Sequence, residues 1–143
     1  MGAASAIGKR YSRIFLSTDR NVVEQAVSFA ADTLRATDVA AQSAESLTIA
    51  VLEAVGNVVR HAAKHACEFT VEVRRDGDHA VVAVVDHGPG FELRPAKMPD
   101  SFQECGRGVP LMQTLCDSVE YLAGADGNRL VLTKRIILGE MGS

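Results

Sequence analysis

The 143-residue chain is 47% apolar and carries a net charge of −3, the size and composition of one cored domain that needs no disulfide or metal to fold. Its charges are dispersed, without a Lys/Arg cluster that would grip nucleic acid or an anionic membrane surface. No apolar run approaches the roughly 20 residues a membrane helix requires, and Met1 to Arg10 lack the apolar core of a secretory signal, so a soluble cytoplasmic protein is expected.

In chain order, residues 1–11 read as a flexible tail, 12–137 as a single domain and 138–143 as a second tail. Arg13-Ile14-Phe15-Leu16 predicts a short strand, and Ser17, Thr18 or Asp19 can cap the helix that follows. From Val22, the positions Val23, Ala26, Val27, Ala30, Ala31 and Leu34 fall at helical spacing. Thr37-Asp38 restarts a second helix that runs to about Lys64, with Leu47, Val51, Ala54, Val55 and Val58 as its buried stripe. Phe69, Val71 and Val73 then alternate with Thr70, Glu72 and Arg74; an Asp76-Gly77-Asp78 turn and the return run Ala80 to Val85 complete a hairpin. The Pro-rich, aperiodic stretch from Gly88 to Cys105 predicts a mobile lid. Pro110 suits the first turn of a third helix containing Leu111, Met112 and Leu115. Val119–Tyr121 and Leu130–Leu132 predict two further strands joined by a Gly124-to-Gly127 turn. The expected fold is an α/β two-layer sandwich, with helices on one face of a mixed, mostly antiparallel sheet.

Chemistry concentrates in three segments. Glu53-x3-Asn57-x3-His61 projects a carboxylate, an amide and an imidazole from one helix face, supplying a base, a metal ligand and a polar brace. Asp86-His87-Gly88-Pro89-Gly90 sets a carboxylate beside two glycines, which can accept a hydrogen bond from a flat ligand while the backbone approaches the ligand's face. Gly106-Arg107-Gly108 opens a helix whose N–H groups can meet phosphates. The plain alternatives are a solvated helix glutamate at Glu53, a backbone-bonded amide at Asn57 and an ordinary strand-end turn residue at Asp86. Likewise His61 reads more readily as a structural histidine, Arg107 equally as a solvated lid charge, and Arg60 and Lys64 as surface charges. Neither G-x4-G-K-[ST] nor G-x-S-x-G occurs, which argues against a P-loop NTPase or an α/β-hydrolase. Cys67, Cys105 and Cys116 form no C-x2-C pair, which suits a reducing compartment and offers no zinc site.

These segments, in this order, resemble the N, G1 and G2 boxes of the GHKL ATP-binding superfamily and, within it, the anti-sigma-factor serine kinases. The resemblance rests on the string from Glu53 to Ala62, on Asp86 to Phe91, on Gly106 to Met112 and on the closing Leu132-Thr133-Lys134. It implies ATP and Mg²⁺ as ligands, with Asn57 holding the metal and Glu53 positioning or deprotonating the attacking hydroxyl. Asp86 would read the adenine amine, with Gly88, Gly90 and Phe91 around the base. Gly106, Arg107, Gly108 and Val109 would lie along the triphosphate. A STAS-domain anti-anti-sigma protein is the implied substrate, a sigma factor the implied second partner and a homodimer the implied assembly. A module that binds nucleotide and sequesters its partner without transfer stays open beside the kinase. The sequence departs from the family at Gly127-Asn128, where a Gly-Thr pair is usual, and at Val109-Pro110, where a leucine commonly follows the second glycine.

Overall fold

The computed structural model describes residues 9–62, 68–86, 108–124 and 127–136. In chain order these form β1 (Arg10–Leu16), α1 (Val22–Ala36), α2 (Ala41–Ala62), β2 (Glu68–Asp76), β3 (His79–Asp86), α3 (Gly108–Leu115), β4 (Ser118–Gly124) and β5 (Gly127–Arg135). The five strands make one sheet in the order β1-β2-β3-β5-β4. Every pairing is antiparallel, where the sequence reading had allowed a mixed sheet.

Alternation along the strands sorts the sheet into two faces. Phe15, Phe69, Val71, Val73, Val82, Val84, Leu130 and Leu132 point to the helical layer and join its side chains in one core. The stacked rings of Phe15 and Phe69, 5.6 Å apart, anchor the β1 end of that core. On the opposite face, Val81, Ala83 and Val85 of the middle strand are also buried. Arg129 on β5 donates to Glu72 on β2 at 2.8 Å, and this pair straddles β3. The unbroken apolar run of β3 thus belongs to a strand covered on both faces, by helices on one and by long side chains on the other.

The helices follow their sequence periods. Val22, Ala26, Ala30 and Leu34 form the buried face of α1, and Leu47, Val51, Ala54, Val55 and Val58 that of α2, as the spacing predicts. Two boundaries differ from expectation. None of Ser17, Thr18 and Asp19 caps α1; Asn21 occupies the cap position and makes no side-chain cap bond. The Asp19 carbonyl accepts from Val22 N–H at 3.3 Å and the Asn21 carbonyl from Gln25 N–H at 3.0 Å, so the backbone of the preceding turn leads into the helix. At the other end Asp38 takes a left-handed φ of 62° and α2 begins only at Ala41 rather than at Thr37-Asp38. Arg75 Nη1 donates to the Thr37 and Asp38 carbonyls at 2.9 and 3.0 Å, tying this junction to β2. The hairpin turn falls where expected, with Gly77 at φ 63°. The lid from Gly88 to Cys105, the end of the second helix at Lys64 and both tails lie outside the described residues, apart from the Lys9–Tyr11 edge of the first.

Because α2 alone supplies the fully buried Leu47, Val51, Ala54 and Val55, removing bulk there should be felt throughout the domain. Leu47→Ala is expected to lower the unfolding free energy by about 2–5 kcal/mol. Urea denaturation followed by circular dichroism measures this.

Candidate functional site

The apolar stripe that seats α2 against β3 and β5 also fixes its polar residues. Asn57 falls next to Val58 and one turn after Ala54, so it is carried into the layer interface and is only 2% exposed. Glu53, one turn earlier, is half-buried at the rim. The Asn57 side chain is held unevenly. Its Oδ1 accepts from Arg60 Nη2, while its Nδ2 has no hydrogen-bond partner among the described residues. Among the described residues its side chain makes no bond to backbone, and a buried, unpartnered amide N–H costs about 1–3 kcal/mol. A fixed carbonyl-type oxygen beside an unused donor suits a hard cation and an anionic oxygen together.

A second group of polar residues sits at the end of the sheet's middle. Asp86 closes β3 in the same inward row as Phe69, and Asn128 lies directly opposite it on β5. Both are 4% exposed, and Asn128 Nδ2 also has no hydrogen-bond partner among the described residues. Gly127 makes this approach possible. At φ 134°, with an added Cβ falling 2.6 Å from the Asp86 carbonyl oxygen, the position accepts glycine alone without rearrangement. Tyr121 on β4 occupies the neighbouring inward row. Burial raises its phenol pKa and the Asp86 carboxylate raises it further, so at neutral pH Tyr121 presents a protonated hydroxyl near that carboxylate. A carboxylate acceptor beside an amide donor is a pair able to read the edge of a heterocyclic base.

Gly108 and Val109 form the first residues of α3, with Pro110 in its opening turn, and Met112 anchors this helix in the core. Gly88, Gly90, Phe91, Gly106 and Arg107 lie outside the described residues, as does Cys105. His61 is in α2. Its side chain lies outside what the structure describes; Arg60, which the sequence reading had taken for a surface charge, is exposed and donates to Asn57 Oδ1. The i, i+3 spacing of Asn57 and Arg60 was the signal that could have found it. Cys116 is buried at the end of α3 and its thiol is pushed up to about 11 by burial, with Lys134 opposing and Asp117 assisting, which makes it a poor nucleophile. A separate open cleft of about 420 Å³ between β1 and α1, lined by Arg13, Glu24, Phe29 and Asp32 among others, includes none of the candidate residues.

Against known proteins, the profile of the histidine kinase-like ATPase domain matches residues 16–134. The serine-protein kinase RsbW of Listeria innocua serovar 6a is 36% identical over 107 residues, which cover 66% of this chain and 68% of that protein. RsbW of Listeria monocytogenes serotype 4a is likewise 36% identical over 107 residues. Among solved structures, a Mycobacterium tuberculosis chain comprising RsbU and RsbW domains superposes with a TM-score of 0.65 at 15% identity, covering 90% of this chain and 32% of that one. The present chain therefore spans about a third of that longer one, and the likeness is one of fold.

Gly127→Ala should disturb the Asp86 end of the sheet more than a surface change would. The strained backbone alone costs roughly 1–3 kcal/mol, and the clash with the Asp86 carbonyl adds to it. A thermal melt of the variant measures the loss; a melting temperature equal to wild type would contradict the close approach.

Proposed function

The chain belongs to the histidine kinase-like ATPase domains, and on that premise we propose that it is a partner-switching protein serine kinase, using Mg-ATP to phosphorylate a serine on a STAS-domain anti-anti-sigma factor. Relatives named serine-protein kinases support kinase activity in general terms. The observation that carries the more specific reading is the pairing on α2 of a rim carboxylate, Glu53, with a buried amide, Asn57, whose Nδ2 is unpartnered. A buried amide held at such a cost belongs to a site that completes its bonding when ligand arrives.

In this reading Asp86 accepts from the adenine amine, Asn128 supports it from β5, and Gly88, Gly90 and Phe91 surround the base. Gly106, Arg107, Gly108 and Val109 run along the triphosphate at the start of α3. Asn57 Oδ1 would be the protein ligand for Mg²⁺, which would neutralise charge on the phosphates being separated. Glu53 aligns the substrate serine. The serine oxygen forms its bond to the γ-phosphorus, the bond from that phosphorus to the β,γ-bridging oxygen breaks, ADP leaves with that electron pair, and the serine proton passes to the Glu53 carboxylate.

The product carries about −1.5 to −2 of new charge at the phosphoserine, enough to expel it from an interface by repulsion and desolvation. The kinase so released is the species that would bind a sigma factor, and a homodimer is its proposed assembly. No helix among the described residues is long and apolar enough to cross a membrane, and a cytoplasmic setting fits the proposed partners.

Glu53→Gln keeps the size and polarity of the side chain but removes the base. It should reduce phosphoryl transfer from labelled ATP to a STAS-domain substrate by about 10²–10⁴-fold while leaving nucleotide binding in place. Undiminished transfer by the variant would refute the role of Glu53. Wild-type binding of ATP with no transfer to any STAS partner would make the protein a nucleotide-dependent sequestering module instead.

A further inference from the structure

Among the described residues, Arg60 is the cation whose side chain is bonded to the proposed metal ligand. It stands three residues after Asn57 on α2, the spacing at which helical side chains meet, and its Nη2 donates to Asn57 Oδ1. Its other terminal nitrogen, Nη1, lies against Gly56, 3.6 Å from where a Cβ would stand. The guanidinium is thus folded back along the helix over a residue that has no side chain of its own. Arg60 as a whole is exposed.

Resting on the reading of Asn57 as the Mg²⁺ ligand, we propose that Arg60 is a positioning residue that holds the metal's place: its guanidinium and Mg²⁺ exchange at Asn57 Oδ1. Two properties of the pair lead there. A guanidinium only donates, so the bond selects the oxygen rather than the nitrogen of the amide and keeps Oδ1 turned toward the rim while Nδ2 stays inside. An amide oxygen has two lone pairs, so space alone would permit both cations. Their charges do not, because a guanidinium and a divalent ion on one oxygen lie within a few ångström of each other at a partly buried site where solvent screens poorly. Nucleotide must therefore arrive with its metal to displace Arg60. Arg60 accordingly sets how much Mg²⁺ the protein needs before nucleotide binds firmly.

The test is a Mg²⁺ titration at fixed ADP, which binds without turnover, on wild type, Arg60→Met and Arg60→Lys, read as the Mg²⁺ concentration at half-maximal rise in melting temperature. Met fills similar space without charge or donors; Lys keeps the charge. If the pair is closed at least two-thirds of the time, removing it lowers the midpoint by about threefold or more. The expected result is that shift in Arg60→Met, with Arg60→Lys within about twofold of wild type. An Arg60→Met midpoint equal to or above that of wild type would overturn the exchange while leaving the nucleotide site intact. Absence of any Mg²⁺-dependent response in wild type would remove the metal site itself, and the exchange with it.

Discussion

The seating of α2 on the sheet is the constraint from which the rest of the molecule follows. Leu47, Val51, Ala54 and Val55 are wholly buried, and with a period of 3.6 residues their burial leaves the helix no rotational choice. Asn57 is driven inward by the same geometry that seats Val58, and Glu53 is left at the edge. The domain tolerates a buried amide with one unpartnered donor because the surrounding apolar contacts are worth several times its cost. The polar residues of this helix are therefore oriented by packing, before any ligand is present to orient them.

The sheet makes a complementary contribution. β3 is central and buried on both faces, and it stays paired with β2 and β5 to its end, where Asp86 lies opposite Asn128. Gly127 brings β5 close under the Asp86 backbone, and Tyr121 closes the side toward β4. This end of the sheet is built from three strands in fixed register, while the helical half of the site is built from a single helix. On the proposed reading, base recognition and phosphate chemistry fall to two different elements, which suits a reaction whose catalysis is chiefly positioning.

Most of this architecture was legible in the residues. The stripe of α2, the alternation of β2 and the Asp-Gly turn each carry a period or a turn signal strong enough to stand alone. The Glu53, Asn57 and Asp86 positions stood out because their segments, taken together and in order, resemble the N and G1 boxes of the GHKL superfamily; each segment alone would have been a weak signal. The misses have physical causes. Asn21, directly before the first helical residue, is by residue type as good a cap candidate as Ser17, Thr18 or Asp19 and was passed over, while the backbone-led entry it sits in uses no side-chain cap bond. The left-handed Asp38 delays α2 through a conformation that aspartate adopts only in part of its occurrences. Arg60 was read by charge and exposure, whereas its bond to Asn57 needs, besides the i, i+3 spacing that permits it, a rotamer that spacing alone does not select. The roof of Glu72 and Arg129 over β3 is set by strand order, β5 beside β3, which the hairpin-by-hairpin reading could not supply.

The central claim is that Asn57 and Asp86 belong to one Mg²⁺-nucleotide site. Its most direct test is the melting temperature of wild type and Asn57→Ala with ATP and with ADP, each with and without Mg²⁺, because a ligand of the native state stabilises it by RT ln(1 + [L]/Kd). A rise that requires Mg²⁺ in wild type and disappears in the variant is the expected result. No rise in wild type at millimolar nucleotide would contradict the claim, and the buried amide of Asn57 would then need another explanation.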